Sequence, residues 1–315
     1  MSEAAPFNHI PVLLDEVLNA LQPLSDGIYI DGTLGGGGHS VALLAASAPA
    51  GFLLGIDRDD AALTAADARL AVYAGRYRLI RANYADMAFV AAKAGIESAD
   101  GILLDIGVSS PQLDEESRGF SYHSQAPLDM RMDQRQELSA AILVNRADEA
   151  ELTDIIYRYG EERWAKRIAQ FIVAARREQP LETTLQLSQL IQKAIPAGAR
   201  EKDQHPARRT FQALRIAVNG ELTALEQGID AAISLLKPGG RLAIITFHSL
   251  EDRIVKEKFR YHASNCICPK ELPICVCHHQ AMIRQVNKKP LIAGMAELNA
   301  NPRARSAKLR VAEKI

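Results

Sequence analysis

Residues 28–40 read IYIDGTLGGGGHS: a short apolar run, an aspartate, four consecutive glycines, then a histidine and a serine. Glycines placed directly after a strand let the backbone turn through left-handed conformations that a Cβ disfavours. Such a turn can cradle a triphosphate, a dinucleotide or a nucleoside-like cofactor, or be only a flexible loop. Outward from it, GIYIDG (27–32), GFLLGID (51–57), RYRLIRAN (76–83) and ADGILLDIG (99–107) read as buried strands. Between them SVALLAASA (40–48) and DAALTAADARLAVYA (60–74) are rich in helix formers. Strands alternating with helices require crossover connections and a parallel sheet, which makes this an α/β, doubly wound domain.

After Leu113 the alternation stops. ADEAELTDIIYRYGEERWAKRIAQFIVAARRE (147–178) carries apolar residues at helical spacing, and TTLQLSQLIQKAI (183–195) has the same period behind threonine caps. The α/β pattern resumes with RTFQALRIAVNGELTALEQGIDAAISLL (209–236), read as helix, a KPGG turn, the strand RLAIITFH (241–248) and the helix SLEDRIVKEKFRYH (249–262). The expected organisation is a first part of the α/β domain over residues 1–113, an all-α insertion over 114–205, and a second part over 206–315 ending in a basic segment.

The chain has 315 residues, 48% of them hydrophobic and 24% charged, which suits a folded domain and argues against extensive disorder. No apolar run reaches the ~20 residues of a membrane span, and the first residues carry acidic groups with no basic leader, so a cytoplasmic location is expected. A net charge of −1 conceals an asymmetry: residues 1–157 hold 10 Lys+Arg against 23 Asp+Glu, and residues 158–315 hold 27 against 15. A basic second half implies a polyanionic partner. Candidate phosphate contacts are Arg163, Lys166 and Arg167, then Arg208, Arg209 and Arg215, and finally Arg303, Arg305, Lys308 and Arg310.

The glycine run is not a P-loop, because Gly38-His39-Ser40 supplies no lysine for phosphates. Nor does it hold the G-x-G-x-x-G spacing of a dinucleotide fold. It fits the D-x-G-x-G-x-G pattern of class I methyltransferases, as Asp31, Thr33, Gly35 and Gly37, with threonine where the first glycine stands. Asp57 ends the second strand, where a carboxylate can accept both ribose hydroxyls, and Tyr84 follows the third, where it can pack on an adenine. The fourth strand ends in Asp105, followed by Ser109, Ser110, Pro111 and Gln112. Amino-group methyltransferases carry [DNS]-P-P-[YF] here. An exocyclic amine has its lone pair conjugated into the base, so acceptors must hold its N–H groups and aim the nitrogen at the methyl donor. In this chain glutamine replaces the aromatic residue.

Together HIPVLLDEVLNAL (9–21), YIDGTLGGGGHS (29–40), GILLDIGVSSPQLD (101–114), RGFSY (118–122) with PLDMRMD (127–133), YGEERWAKRIA (159–169), HPARRTFQALRIAVN (205–219), FHSLEDRIVK (247–256) and NPRARSAKLRVAE (301–313) resemble the MraW family of ribosomal RNA methyltransferases, in the family's order and over most of the chain. The resemblance implies a class I (Rossmann-like) methyltransferase domain with an inserted helical domain. It also implies an S-adenosylmethionine-dependent activity on the N4 amine of a cytidine in small-subunit rRNA near the decoding centre. By motif, the cofactor positions would be Gly37, Gly38, His39, Asp57, Tyr84, Asp105 and Gln112. The residues expected to hold the amine are Asp105 with the Ser109–Ser110–Pro111 loop, faced by His248. For His248 a plain strand-end role stays open.

All four cysteines lie in CICPKELPICVCHH (266–279), as Cys266, Cys268, Cys275 and Cys277. Structural disulfides are not expected in a cytoplasmic protein. The set can be a structural zinc site or reduced surface thiols, its C-x-C spacing being tighter than the usual C-x₂-C. Other functional classes remain in view: a DNA amino-methyltransferase, a ribosome-assembly factor that retains the fold without catalysis, and, more remotely, a nicotinamide oxidoreductase.

Overall fold

The structure is a computed structural model and describes residues 11–107, 115–201, 204–269, 272 and 274–315. The chain divides into two compact units, Met1–Ser109 with Leu222–Ile315, and Ser110–Glu221.

The first unit is built on a seven-stranded sheet. In chain order its elements are α1 (Leu14–Leu21), β1 (Ile28–Asp31), α2 (Gly38–Ala46), β2 (Phe52–Asp57), α3 (Asp60–Leu70), β3 (Tyr77–Arg81), α4 (Met87–Lys93) and β4 (Ala99–Asp105). The expected strands are all present. Strand order is β3-β2-β1-β4, then β5 (Leu236–Thr246), β7 (Lys308–Lys314) and β6 (Ile283–Gln285). The first five strands pair in parallel. β7 runs antiparallel to both β5 and β6. The order therefore reverses at β1 and β4, and in open α/β sheets ligands bind beyond the carboxyl ends of the strands at such a reversal. Those ends carry Asp31 and Asp105.

Continuous apolar runs mark these strands because both faces of the sheet are covered. In β4, Ile102 and Leu104 join one core cluster and Leu103 the other. β5 splits likewise, with Leu242 and Ile244 on one side and Ala243 and Ile245 on the other. The KPGG stretch falls inside the bounds of β5, yet it still turns the chain out of the ladder: pairing with β4 jumps from Ala99–Leu236 to Gly101–Arg241, and Gly239 adopts φ +80°. The segment read as a basic tail contributes strand β7 to the sheet interior. Leu309 and Val311 are buried, and Arg310 is buried with them.

The second unit contains α5 (Ala140–Arg146), α6 (Glu149–Gly160), α7 (Ala165–Glu178), α8 (Thr184–Ala194) and α9 (Arg208–Asn219). Asp148 caps α6 by accepting from the Glu151 amide, and Thr183 with Gln186 forms a reciprocal capping box on α8. A Cβ on Gly160 would lie 2.7 Å from the Arg209 carbonyl, so glycine is what lets α6 approach α9. The stretch 209–236 is two helices rather than one: Gly220 at φ +60° ends α9, and α10 (Glu221–Leu235) follows. The unit that holds the sheet resumes at Leu222.

Candidate functional site

The glycine turn is fixed by three side chains at its base. Asp31, only 1% exposed, accepts from Ser40 Oγ at 2.7 Å and from the Thr33 amide. This ties the end of β1 to the first turn of α2. Burial is the main reason its carboxyl is pushed up to about 6. Thr33, where the motif has glycine, uses its Oγ1 to accept the Asp105 amide at 2.6 Å, joining the turn to the end of β4. Thr33 reads in the sequence only as a departure from the glycine motif, because its partner Asp105 lies 72 residues along the chain, and Ser40, nine residues from Asp31, carries no motif signal of its own.

Asp57 closes the other side. Its Oδ2 accepts from the Gly35 amide at 2.8 Å and its Oδ1 from the Asp59 amide at 2.9 Å. Burial raises its pKa, and the two amides oppose that rise. Gly37 is the N-cap of α2 at φ +73°, and a Cβ there would lie 3.2 Å from that of Ala66 on α3. A Cβ on Gly38 would meet Pro11 Cγ at 2.6 Å. Both glycines thus bring the N-terminus of α2 close to its neighbours, leaving its first amides aimed at the turn, the ordinary receptor for an anionic group.

His39 is buried, and its Nε2 bonds to the Val12 carbonyl at 2.9 Å. A carbonyl only accepts, so Nε2 carries a hydrogen and Nδ1 is turned to Asp105, 3.7 Å from its Oδ2. Asp105 has 25% of its side chain exposed, and its Oδ1 has no hydrogen-bond partner among the described residues. Burial, then the charges of Asp31 and Glu251, push its carboxyl up to about 8. Asp31 and Glu251 each raise the cost of ionising Asp105, so the pocket at the sheet reversal is short of positive charge.

The structure therefore brings Gly37, Gly38, His39, Asp57 and Asp105 together around the glycine turn. It treats two other candidates differently. Tyr84, 8% exposed, packs in the core with Met87 and Leu225, where Gly228 leaves room for its ring. His248 is the N-cap of α11 (Ser249–His262): its Nδ1 accepts from the Glu251 amide. Its Nε2 lies 2.8 Å from Glu251 Oε1, misaligned for a hydrogen bond. Glu251, 1% exposed, returns the cap by accepting from the Phe247 and His248 amides. Ser109, Ser110, Pro111 and Gln112 lie outside the described residues.

Arg310, Lys308 and Arg215, all candidate phosphate contacts, are engaged in ion pairs within the fold. Arg310 Nε bonds Asp252 Oδ1 at 2.6 Å inside the sheet unit, with Lys308 on the other oxygen. Arg215 makes a two-pronged pair with the buried Glu221. Arg163, Lys166, Arg167, Arg208, Arg303 and Arg305 are exposed. Among the described residues no helix is long and apolar enough to cross a membrane.

The model of the MraW methylase family matches residues 6–315. The chain belongs to that family. It is 59% identical over 309 residues to a protein of Geobacter sp. (strain M21) and 57% identical over 309 residues to one of Symbiobacterium thermophilum. Both relatives are named ribosomal RNA small subunit methyltransferase H. Each comparison spans 98% of this chain, and 99% and 97% of the respective relative. A solved rRNA methylase from Streptococcus thermophilus aligns with 96% of the chain and 93% of its own at 12% identity, with a TM-score of 0.42. As an MraW methylase the chain is a methyltransferase, with S-adenosylmethionine as the cofactor of its α/β domain.

The residues fit that cofactor. Its sulfonium and ammonium groups bring the positive charge that Asp105 and its acidic neighbours lack, and its carboxylate suits the N-terminus of α2.

Proposed function

We propose that this MraW methylase methylates the N4 amine of a cytidine in small-subunit ribosomal RNA near the decoding centre. The observation that carries the reading is Asp105: a carboxyl at the sheet reversal, one oxygen without a partner among the described residues, held near neutral titration by burial and by Asp31 and Glu251. The relatives' names support the choice of rRNA as substrate.

When bound, S-adenosylmethionine supplies an electrophilic methyl group on a sulfonium. Asp57 accepts the ribose hydroxyls while its own amide bonds hold it rigid. The α2 N-terminus receives the amino-acid carboxylate across Gly37 and Gly38, and His39 orients Asp105. Gln112 and the backbone beside Tyr84 complete the cofactor pocket. Asp105 accepts one N–H of the cytidine amine, and the Ser109–Ser110–Pro111 loop takes the other. The positive charge of the bound cofactor would favour the ionised form of Asp105, and as the cytidine nitrogen gains its fourth bond and becomes acidic, that carboxylate takes the released proton. A carboxyl raised above the ordinary carboxylate range is the stronger base for that task. His248 acts by fixing Glu251 beside this group. The helical unit, residues 110–221, recognises the RNA, and exposed arginines contact phosphates while sparing Arg215 and Arg310. A ribosome-directed enzyme of this kind works in the cytoplasm.

The test is transfer of a labelled methyl group from S-adenosylmethionine to small subunits, naked small-subunit rRNA and duplex DNA that lack the modification, followed by digestion to nucleosides. Label in N4-methylcytidine from subunits or rRNA, lost in Asp105→Ala, is the expected result. Label in another nucleoside, or only in DNA, overturns the reading. Tight cofactor binding with no transfer to any acceptor favours an assembly factor instead.

A further inference from the structure

The segment between α11 and β6 has no core of its own. Among its described residues from 263 to 282 none is buried, and Ile267, Leu272, Ile274 and Val276 are exposed. Its base is tied to the end of α11: the Met282 amide donates to the His262 carbonyl, the Ala281 amide to Asn265 Oδ1, and His279 Nε2 bonds the Tyr261 carbonyl. Farther out, the described contacts are a turn bond from the Leu272 amide to the Pro269 carbonyl and a set of contacts to sulfur. The Sγ atoms of Cys266, Cys268, Cys275 and Cys277 all lie within 4.8 Å of one another.

We propose that Cys266, Cys268, Cys275 and Cys277 form a structural site for one tetrahedral zinc ion, which fixes the segment between α11 and β6. Three features converge on it. The first is spacing: four thiolates about 2.3 Å from one zinc place neighbouring sulfurs about 3.8 Å apart. Here Cys275 and Cys277 are 3.6 Å apart, and Cys277 and Cys266 are 3.9 Å apart. The second is the direction of the backbone. The Ile267 amide points at Cys277 Sγ, the Cys268 amide at Cys266 Sγ and the Val276 amide at Cys268 Sγ, each at 3.4 Å. Amide dipoles aimed at sulfur stabilise the anionic form that a metal requires. The third is that none of the segment's described side chains is buried in apolar packing, the circumstance in which small motifs depend on a metal.

All four cysteines are free thiols. Four soft thiolates in a compact tetrahedron select zinc over the harder cations, which prefer oxygen. A polynuclear iron–sulfur cluster fits less well, because irons and bridging sulfides would hold the four cysteine sulfurs farther apart. His279 is engaged with the Tyr261 carbonyl and stays outside the ligand set. Binding replaces four S–H bonds by four Zn–S bonds and releases the thiol protons to solvent, leaving a site of net charge −2 with zinc(II) unchanged in oxidation state. The ion holds the two C-x-C arms together, much as a disulfide would, without requiring an oxidant.

The experiment uses the full chain purified under reducing conditions without chelators, with its metal content measured by mass spectrometry. About one zinc per chain is expected, lost in the double variant Cys275→Ser with Cys277→Ser. Replacement by cobalt should give the visible absorption of a tetrahedral thiolate site. Stripping zinc with a thiol-reactive mercurial, then quenching, should open residues 263–282 to proteolysis, and zinc should restore protection. S-adenosylmethionine binding should persist in the double variant, which separates loss of the site from failure to fold. If that variant does not fold, the stripping and restoration of wild type decides the matter. Wild-type protein with neither bound zinc nor a cobalt spectrum after reconstitution overturns the proposal. So does a stoichiometric iron, or a non-reduced chain in which the cysteines resist alkylation because they are paired as disulfides.

Discussion

Asp105→Asn should make the cofactor-free protein more stable at neutral pH. In the folded chain the carboxyl titrates at about 8, against an ordinary 3.8, because burial and then the charges of Asp31 and Glu251 oppose its ionisation. Between those values the folded state keeps a proton that the unfolded state releases. Stability from this group is therefore complete below about pH 4 and is lost as pH rises through about 8. Each pH unit between the folded and unfolded titrations corresponds to about 1.4 kcal/mol, so at pH 7 the ceiling is about 4 kcal/mol. Its side chain is 25% exposed, and solvent screening brings the expected effect to about 2 kcal/mol. Asparagine has nearly the same shape, has no charge to bury, and can donate to His39 Nδ1 across the present 3.7 Å gap. Urea unfolding of both proteins from pH 4 to pH 8.5, without S-adenosylmethionine, measures the difference. The variant should be the more stable at pH 8, and the gap should close towards pH 4. Saturating S-adenosylmethionine should reverse the order, since only the wild type gains from a cation beside an ionised carboxylate. A variant less stable than wild type at pH 8, or a difference that does not change with pH, would mean that the surroundings of Asp105 do not hold its proton.

Thr33→Val removes the acceptor of the Asp105 amide and should lower stability by about 1–3 kcal/mol in urea unfolding, with Thr33→Ser close to wild type. Gly37→Ala forces a Cβ into a left-handed position at φ +73° against Ala66; a loss of about 1–2 kcal/mol is expected, with weaker S-adenosylmethionine binding by calorimetry. Arg310→Ala leaves Asp252 in a poorly solvated place without its guanidinium and should cost roughly 3 kcal/mol, measured by thermal unfolding, with RNA affinity unchanged when the protein is folded. The exposed pair Arg303→Glu with Arg305→Glu should do the opposite, weakening RNA binding about tenfold at 0.1 M salt and leaving cofactor affinity intact.

The parallel strands, the glycine turn and the acidic residues that end β1, β2 and β4 were legible in the chain before any folding was considered. They are local signals: apolar runs of strand length, glycines where the backbone must turn, carboxylates at the end of a run. The cysteine cluster was marked in the same way, its four members sitting within twelve residues of chain. What depends on partners far along the chain came only with the fold. KLRVAEK (308–314) reads as a basic tail until Asp252, on α11, neutralises Arg310 and lets the segment run as β7 inside the sheet. Thr33 looks like a lapse from the glycine motif until Asp105 arrives from β4 with an amide to be accepted. Tyr84 reads in the sequence as an adenine contact, and its burial follows from Gly228, which no spacing near Tyr84 announces. Asp105 is an ordinary aspartate in the sequence. Its raised pKa exists only because the fold removes water and brings Asp31 and Glu251 from two other elements to the same sheet edge. Coulomb repulsion in a dry place is a property of that meeting, not of the residue.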